Sequence, residues 1–126
     1  MKNKSVFHPK LSGYQLEDSR LLSVKIDNKN RKCIIKLNNV LFYGDKRIDK
    51  SIPVNSGNII IELNGVERVD MDGEYSLCDP EMNTVYQWCM LKEEELFTFC
   101  LFVLVGHRHY ILQATHSETT VNPYYK

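Results

Sequence analysis

The side chains with chemistry to offer fall into a few small groups. His107-x-His109 sets two imidazoles on one side of an extended segment, with His116 farther along, which is the beginning of a zinc site. Zinc wants three or four ligands held by oriented partners. Residues 107 and 116 differ in parity, so one regular strand sends His116 to the opposite face. Asp70-x-Asp72-Gly73-Glu74 supplies carboxylates as a calcium loop does, but the twelfth-position Glu of an EF-hand is missing. No metal site and no cofactor are expected. Among nucleophiles, Ser23 and Ser76 lack a Gly-x-Ser-x-Gly elbow. Cys33, Cys78, Cys89 and Cys100 form no CxxC and lie mostly in apolar surroundings, as buried reduced thiols do. Glu93, Glu94 and Glu95 sit in a surface turn, without the burial that separates an acid from a base. Asp18-Ser19-Arg20 reads as polar residues tying a loop at the start of a strand. No glycine-rich phosphate cradle is present, and the chain reads as a non-enzyme with no catalytic residue.

The elements that would position these groups are strands. Leu96 to Val105 reads LFTFCLFVLV, too short for a helical membrane span and rich in strand-forming residues. Both parities are apolar, so the run predicts a strand buried on both faces under two layers of cover. Leu22, Val24 and Ile26 share one face of an earlier strand, with Ser23 and Lys25 on the other. Asp27-Asn28-Lys29-Asn30 predicts the turn of a hairpin, and Asn38-Asn39 a bulge in the returning strand. Gly44 to Gly57 reads as a connection with a short extended piece at Ile52 to Val54. Ile59, Ile61 and Leu63 line one face of the next strand, and Asn64-Gly65 is either a turn or a bulge. Asp79 could cap one helical turn with Pro80 at its first position.

Tyr86, Trp88 and Met90 are expected on one side of a strand that reaches the Lys92 to Glu95 loop. Gly106 to His109 reads as a turn into YILQATHS, and SETTVNPYYK as an edge strand that Pro123 stops. The fold class is all-β: an antiparallel β-sandwich or partly open barrel, mostly meander. Residues 1–126 form a single domain, with 1–15 a weakly patterned N-terminal segment broken at His8-Pro9 and Ser12-Gly13. Hydrophobic content of 43% with 25% charged residues is that of a folded chain and argues against disorder. MKNKSVFHPK is followed by no apolar run, so neither a signal peptide nor a membrane anchor is read and a cytoplasmic location is expected.

The net charge of zero conceals a division. Met1 to Lys50 holds 12 Lys+Arg against 5 Asp+Glu, whereas Glu62 to Glu95 holds 2 against 10. Either strands of opposite charge pair with each other, or an acidic face is offered to a basic partner. Nucleic acid is not expected as a partner, because the lysines are scattered through amphipathic strands without interleaved aromatics.

LEDSRLLSVKID and the alternating strands after it, from Leu16 to about Asp72, resemble a group of small bacterial β-rich proteins. That group includes immunity proteins of polymorphic and contact-dependent toxin systems. Its members often begin with a Leu-His-Asp-Ser/Ala motif; Asp18 and Ser19 match it, and Glu17 stands in place of the histidine. The resemblance implies a non-enzymatic protein that binds a cognate toxin and blocks it, nucleases being one candidate class. The contact surface would then draw on Glu67, Asp70, Asp72, Glu74, Asp79, Glu81 and Glu93 to Glu95, with Tyr75, Tyr86 or Trp88 as anchors. A small-ligand-binding β-barrel and a self-associating structural protein remain alternatives, and the protein could act as a monomer or a homodimer.

Overall fold

The apolar run at 96–105 forms one strand over its full length, β8 (Leu96–Val105), and the rest of the sheet is laid out around it. The structure is a computed structural model that describes residues 4–5, 11, 13–42 and 55–124; residues 44–54 of the expected connection, its extended piece at Ile52 to Val54 and the His8-Pro9 break lie outside them, whereas Asn55 to Gly57, expected in that connection, already belong to a strand. The other strands are β1 (Lys4–Ser5), β2 (Tyr14–Gln15), β3 (Arg20–Asp27), β4 (Lys32–Phe42), β5 (Asn55–Asn64), β6 (Arg68–Asp72), β7 (Asn83–Glu93), β9 (Arg108–His116) and β10 (Glu118–Tyr124). A 3-10 turn, Pro80–Met82, precedes β7, and Asp79 caps it by accepting from the Glu81 N–H with Pro80 at the first position. Among the described residues no helix is long and apolar enough to cross a membrane.

All pairing is antiparallel, in one sheet of order β10-β5-β4-β3-β7-β8-β9-β6 that does not close on itself. The short β1 adds to β7 and β2 to β4. Hairpins link β3 to β4, β7 to β8 and β8 to β9, which is the expected meander; β5 to β6 and β9 to β10 cross between the two halves. At those crossings Gly65 turns the chain at φ 64°, where an added Cβ would lie 2.1 Å from Ser117 Oγ. The Ser117 N–H donates to the Asn64 carbonyl at 3.1 Å and the Glu67 N–H to that of Thr115 at 2.8 Å. Asn64-Gly65 is therefore a turn.

The two halves meet at a narrow junction. β3 and β7 share one register pair, Arg20 with Thr84. Just before it, the Asp18 N–H donates to the Val85 carbonyl at 2.7 Å and the Val85 N–H donates to the Ser19 carbonyl at 2.9 Å. Asp18 takes φ 71° to make this turn, and buried Ser19 points its hydroxyl back to the Leu16 carbonyl at 2.6 Å. Asn83, fully buried, completes the junction: its amide donates to the carbonyls of Leu21 and Ser76 at 2.9 and 2.8 Å and accepts from the Ser76 N–H at 2.8 Å. Asp18-Ser19 thus has the loop-tying position expected of it.

Folded back at that junction, the halves bury a common core. Cys33, Ile35 and Leu37 of β4 and Ile59, Ile61 and Leu63 of β5 face Phe99, Leu101 and Val103 of β8 and Tyr110, Leu112 and Ala114 of β9. Three bulges set which residues reach it. The register shift at Leu37/Val40 falls on Asn39, at φ 56°, as the Asn-Asn pair suggested. A shift at Leu21/Ser23 makes Leu21 the fully buried residue of β3 and leaves Leu22, Val24 and Ile26 half-buried. A shift at Val85/Gln87 turns Tyr86 out to solvent, while Trp88 and Met90 face the core. The expectation that these three share a side fails because one extra residue reverses the alternation.

Cover over β8 is likewise one-sided. Phe99, Leu101 and Val103 are buried, but on the other face Phe102 is half-buried and Leu104 is 38% exposed. A single sheet folded on itself supplies one covering layer; on the outer parity Cys100 is buried, while Phe102 and Leu104 stand beside cross-strand neighbours such as Ile111 and Gln87 among the described residues. β9 begins directly after the Gly106-His107 turn, and β10 runs through Pro123 to Tyr124, which an edge strand allows because no donor is needed there.

These placements have measurable consequences. Leu101→Ala should cost about 3 kcal/mol in urea denaturation, whereas Leu104→Ala, three residues on, should cost under about 0.5 kcal/mol. Asn83→Ala leaves one buried and two half-buried backbone groups without their side-chain partner and should cost about 2 kcal/mol.

Candidate protein-binding surface

The residues from Asp70 to Glu81 include five carboxylates and no Lys or Arg. Their frame is built by backbone geometry. β6 ends at Asp72, the register partner of Ile111, and Gly73 then turns the chain at φ 91°; an added Cβ there would lie 2.2 Å from the His109 carbonyl oxygen. Tyr75 turns inward, its ring edge-on to Tyr110 with centroids 5.1 Å apart, and its hydroxyl accepts from the Val24 N–H at 2.9 Å. Asn83 then holds Ser76 from both sides, and the Asp79 N–H donates to Ser76 Oγ at 3.0 Å. The loop is thereby fixed while its tip faces water, with Leu77 75% exposed and Met82, at the end of the 3-10 turn, 45% exposed.

All the large hydrophobic residues exposed among the described residues lie at this end: Met71, Leu77, Met82, Tyr86 and Leu104. Met71, Glu74, Tyr75 and Leu77 line a hollow of about 210 Å³ with Gly73 and Tyr110. Around the corner, on the outer face, Tyr86 stands 6.2 Å from the Phe102 ring and 5.8 Å from His109, with its hydroxyl hydrogen-bonded to His109 Nδ1 at 3.2 Å. Asp72, Glu74, Asp79 and Glu81 are exposed around this apolar ground and belong to no ion pair among the described residues. An apolar centre with a charged rim is the anatomy of a protein interface.

The remaining expected contact residues are placed elsewhere. Glu93, Glu94 and Glu95 occupy the β7–β8 turn, and Glu93 pairs with Leu96 whereas Asn83 pairs with Val105. The length of β7, about 30 Å, separates the two acidic groups. Glu67 pairs with Arg31 and Asp70 with Arg68. Lys32 pairs with Glu62 at 3.4 Å, so part of the charge division is spent on contacts between the basic and acidic halves. Trp88 packs inward, 6.1 Å from the Phe99 ring. The structure therefore gathers Asp72, Glu74, Asp79, Glu81 and Tyr86 at one end, with Tyr75 as part of the floor. Met71, Leu77, Met82 and Leu104 were missed in the sequence; an isolated Leu77 inside the polar run SLCDPE is the signal that was available.

A second hollow of about 320 Å³ lies at the opposite end, lined by Asp27, Arg31, Lys32, Glu67, Arg68 and apolar neighbours. Its charges answer one another: Arg31 bonds Glu67 and the Val66 carbonyl, and hydrogen bonds from Asn30 hold the Asp27 carboxyl below its ordinary range. The histidines do not converge. His116 is buried, with Nδ1 3.1 Å from the Ala114 carbonyl and Nε2 2.6 Å from Thr119 Oγ1, while His107 and His109 lie outside at the far end of β9. Among the described residues no three His, Cys, Asp or Glu side chains are grouped to hold a metal. Of the thiols expected to be buried, Cys33 and Cys100 are, and burial pushes Cys33 up to about 11; Cys78 is exposed on the loop.

Comparison with models of known protein families gives no match, and comparison with curated proteins gives none.

Tyr110, in the floor of the first hollow, supplies a test of this geometry. Its buried hydroxyl has no hydrogen-bond partner among the described residues, and burial, with Tyr75 and Cys33 nearby, pushes the phenol above its ordinary range. Above about pH 10 the unfolded chain releases this proton while the folded chain keeps it, so stability falls as pH rises through that range. Tyr110→Phe should raise stability at neutral pH by about 1 kcal/mol and make the alkaline decline shallower, read from urea midpoints at both pH values.

Proposed function

We propose that this protein is a non-enzymatic inhibitor of the immunity type, which binds a basic protein toxin and occludes its active site. One observation carries the reading: the exposed apolar side chains are concentrated at the end of the sheet where Asp72, Glu74, Asp79 and Glu81 are held by a fixed loop. Carboxylates that form no ion pair among the described residues steer a positively charged partner into encounter, and Leu77 with Tyr86 supply the apolar contact that slows its departure. Toxins that act on nucleic acids carry basic active sites, so a nuclease is the favoured class. The resemblance at LEDSRLLSVKID points the same way, although Asp18 and Ser19 act at the junction between the two halves of the sheet. Action in the cytoplasm follows from this role. The rest of the expected acidic surface, at Glu93 to Glu95, is too distant to share one contact.

A second reading, self-association, is favoured by the uncovered outer parity of β8, where Phe102 and Leu104 meet solvent beside Ile111. Sedimentation of the dilute protein separates the two.

The test of the first reading is co-expression with the product of the adjacent gene, followed by affinity measurement on the purified pair. Changing Asp72→Asn, Glu74→Gln and Glu81→Gln together should weaken association at least about tenfold at low salt and flatten its salt dependence. Changing Glu93, Glu94 and Glu95 to Gln should leave affinity unaltered. An adjacent product that is harmless and does not co-elute, or equal effects of both sets, would remove the proposal.

A further inference from the structure

Cys89 of β7 and Cys100 of β8 are register partners on the outer face of the sheet, so their side chains stand directly opposite each other. Gln113, opposite Cys100 on β9, directs its Nε2 at the Cys100 sulfur from the other side at 3.9 Å. Cys100 is 2% exposed, whereas Cys89 is half-buried and can be reached by a small molecule. The remaining thiols are placed differently: Cys33 points into the core and Cys78 stands on the exposed loop.

Directly opposed residues of an antiparallel pair have Cα atoms about 4.5 to 5.5 Å apart, inside the span that a disulfide bridges. Their Cβ atoms, at about 4.5 to 5.5 Å, stand slightly wider than the roughly 3.8 Å of a relaxed disulfide. A bond between them therefore forms only when the strands draw together by about 1 Å, and strain of that kind makes a disulfide easy to reduce again.

We propose that Cys89 and Cys100 constitute a reversible dithiol–disulfide site that reacts with low-molecular-weight disulfides. The Cys89 thiolate attacks one sulfur of the external disulfide; that S–S bond breaks, and one thiol leaves carrying the proton that Cys89 gave up. Cys100 then yields its proton and attacks the Cys89 sulfur, forming the Cys89–Cys100 bond and expelling the second external thiol, which takes that proton. Two protein thiols are oxidised and one disulfide is reduced to two thiols. Burial, with Cys89 alongside, pushes the Cys100 thiol up to about 12, so it stays protonated until Cys89 has reacted, and the Gln113 amide stabilises its thiolate as it forms. The order of events is thus set by exposure.

The experiment uses the full chain carrying Cys78→Ser, incubated with oxidised glutathione and followed by intact mass and peptide mapping. The expected product has lost two hydrogens, joins the peptides containing Cys89 and Cys100, and reverts on adding reduced glutathione. Adding Cys100→Ser should instead leave one glutathione stably attached at Cys89. Glutathione that persists on Cys89 while Cys100 is present, a linkage through Cys33, or no reaction at either thiol would overturn the proposal.

Discussion

Two backbone hydrogen bonds between the Asp18-Ser19 corner and Val85 hold the halves of this sheet together. Only one register pair, Arg20 with Thr84, extends them. Such a narrow seam would open readily if it faced water. Two buried side chains reinforce it: Ser19 closes on the Leu16 carbonyl, and Asn83 binds β3 and the loop before β7 at the same time. Hydrogen bonds in that low-dielectric setting are costly to break one at a time. The same asparagine amide that joins the sheet also fixes the loop carrying Leu77, Asp79 and Glu81. Fold and candidate surface therefore share one anchor.

Much of the fold was legible in the chain, because strand alternation and turn chemistry are local. The bounds of the strand at Leu96 to Val105, the shared face of Ile59, Ile61 and Leu63, the Asn39 bulge and the Asp79-Pro80 cap all follow from neighbours within a few residues. What depended on distant partners was not legible. An apolar run on both parities does not say how many layers will cover it, so the solvent-facing side of β8 had no counterpart in the pattern. Nor does alternation register the extra residue at Val85/Gln87 that sends Tyr86 outward. Asn83 reads as an ordinary polar residue because the Leu21 carbonyl that its amide binds lies 62 positions away along the chain.

The candidate surface shows the same limit in electrostatic form. Sequence proximity groups Glu93 to Glu95 with the acids at 70–81, but β7 lies between them and carries the two groups to opposite ends. The basic strands neutralise Glu62 and Glu67 at the end where β4 starts, and among the described residues none of them pairs with Asp72, Glu74, Asp79 or Glu81. A charge imbalance in one dimension has become a polarity along the strands in three. That polarity gives the molecule a direction for approach.

The pairing of β5 with β10 gives the protein a particular order of assembly. β5 presents Asn58-Ile59-Ile60-Ile61-Glu62-Leu63-Asn64 along its length, and the edge not taken by β4 waits for Glu118–Tyr124, reached only after the whole β6 to β9 half has been made. During synthesis on the ribosome, that isoleucine-rich edge stands open while four further strands emerge. Non-local pairing of this kind is slow, and an unpaired apolar edge is a template for another chain. The interval before the last strand docks is thus when this protein is most exposed to aggregation, and when a holding chaperone has the most to bind.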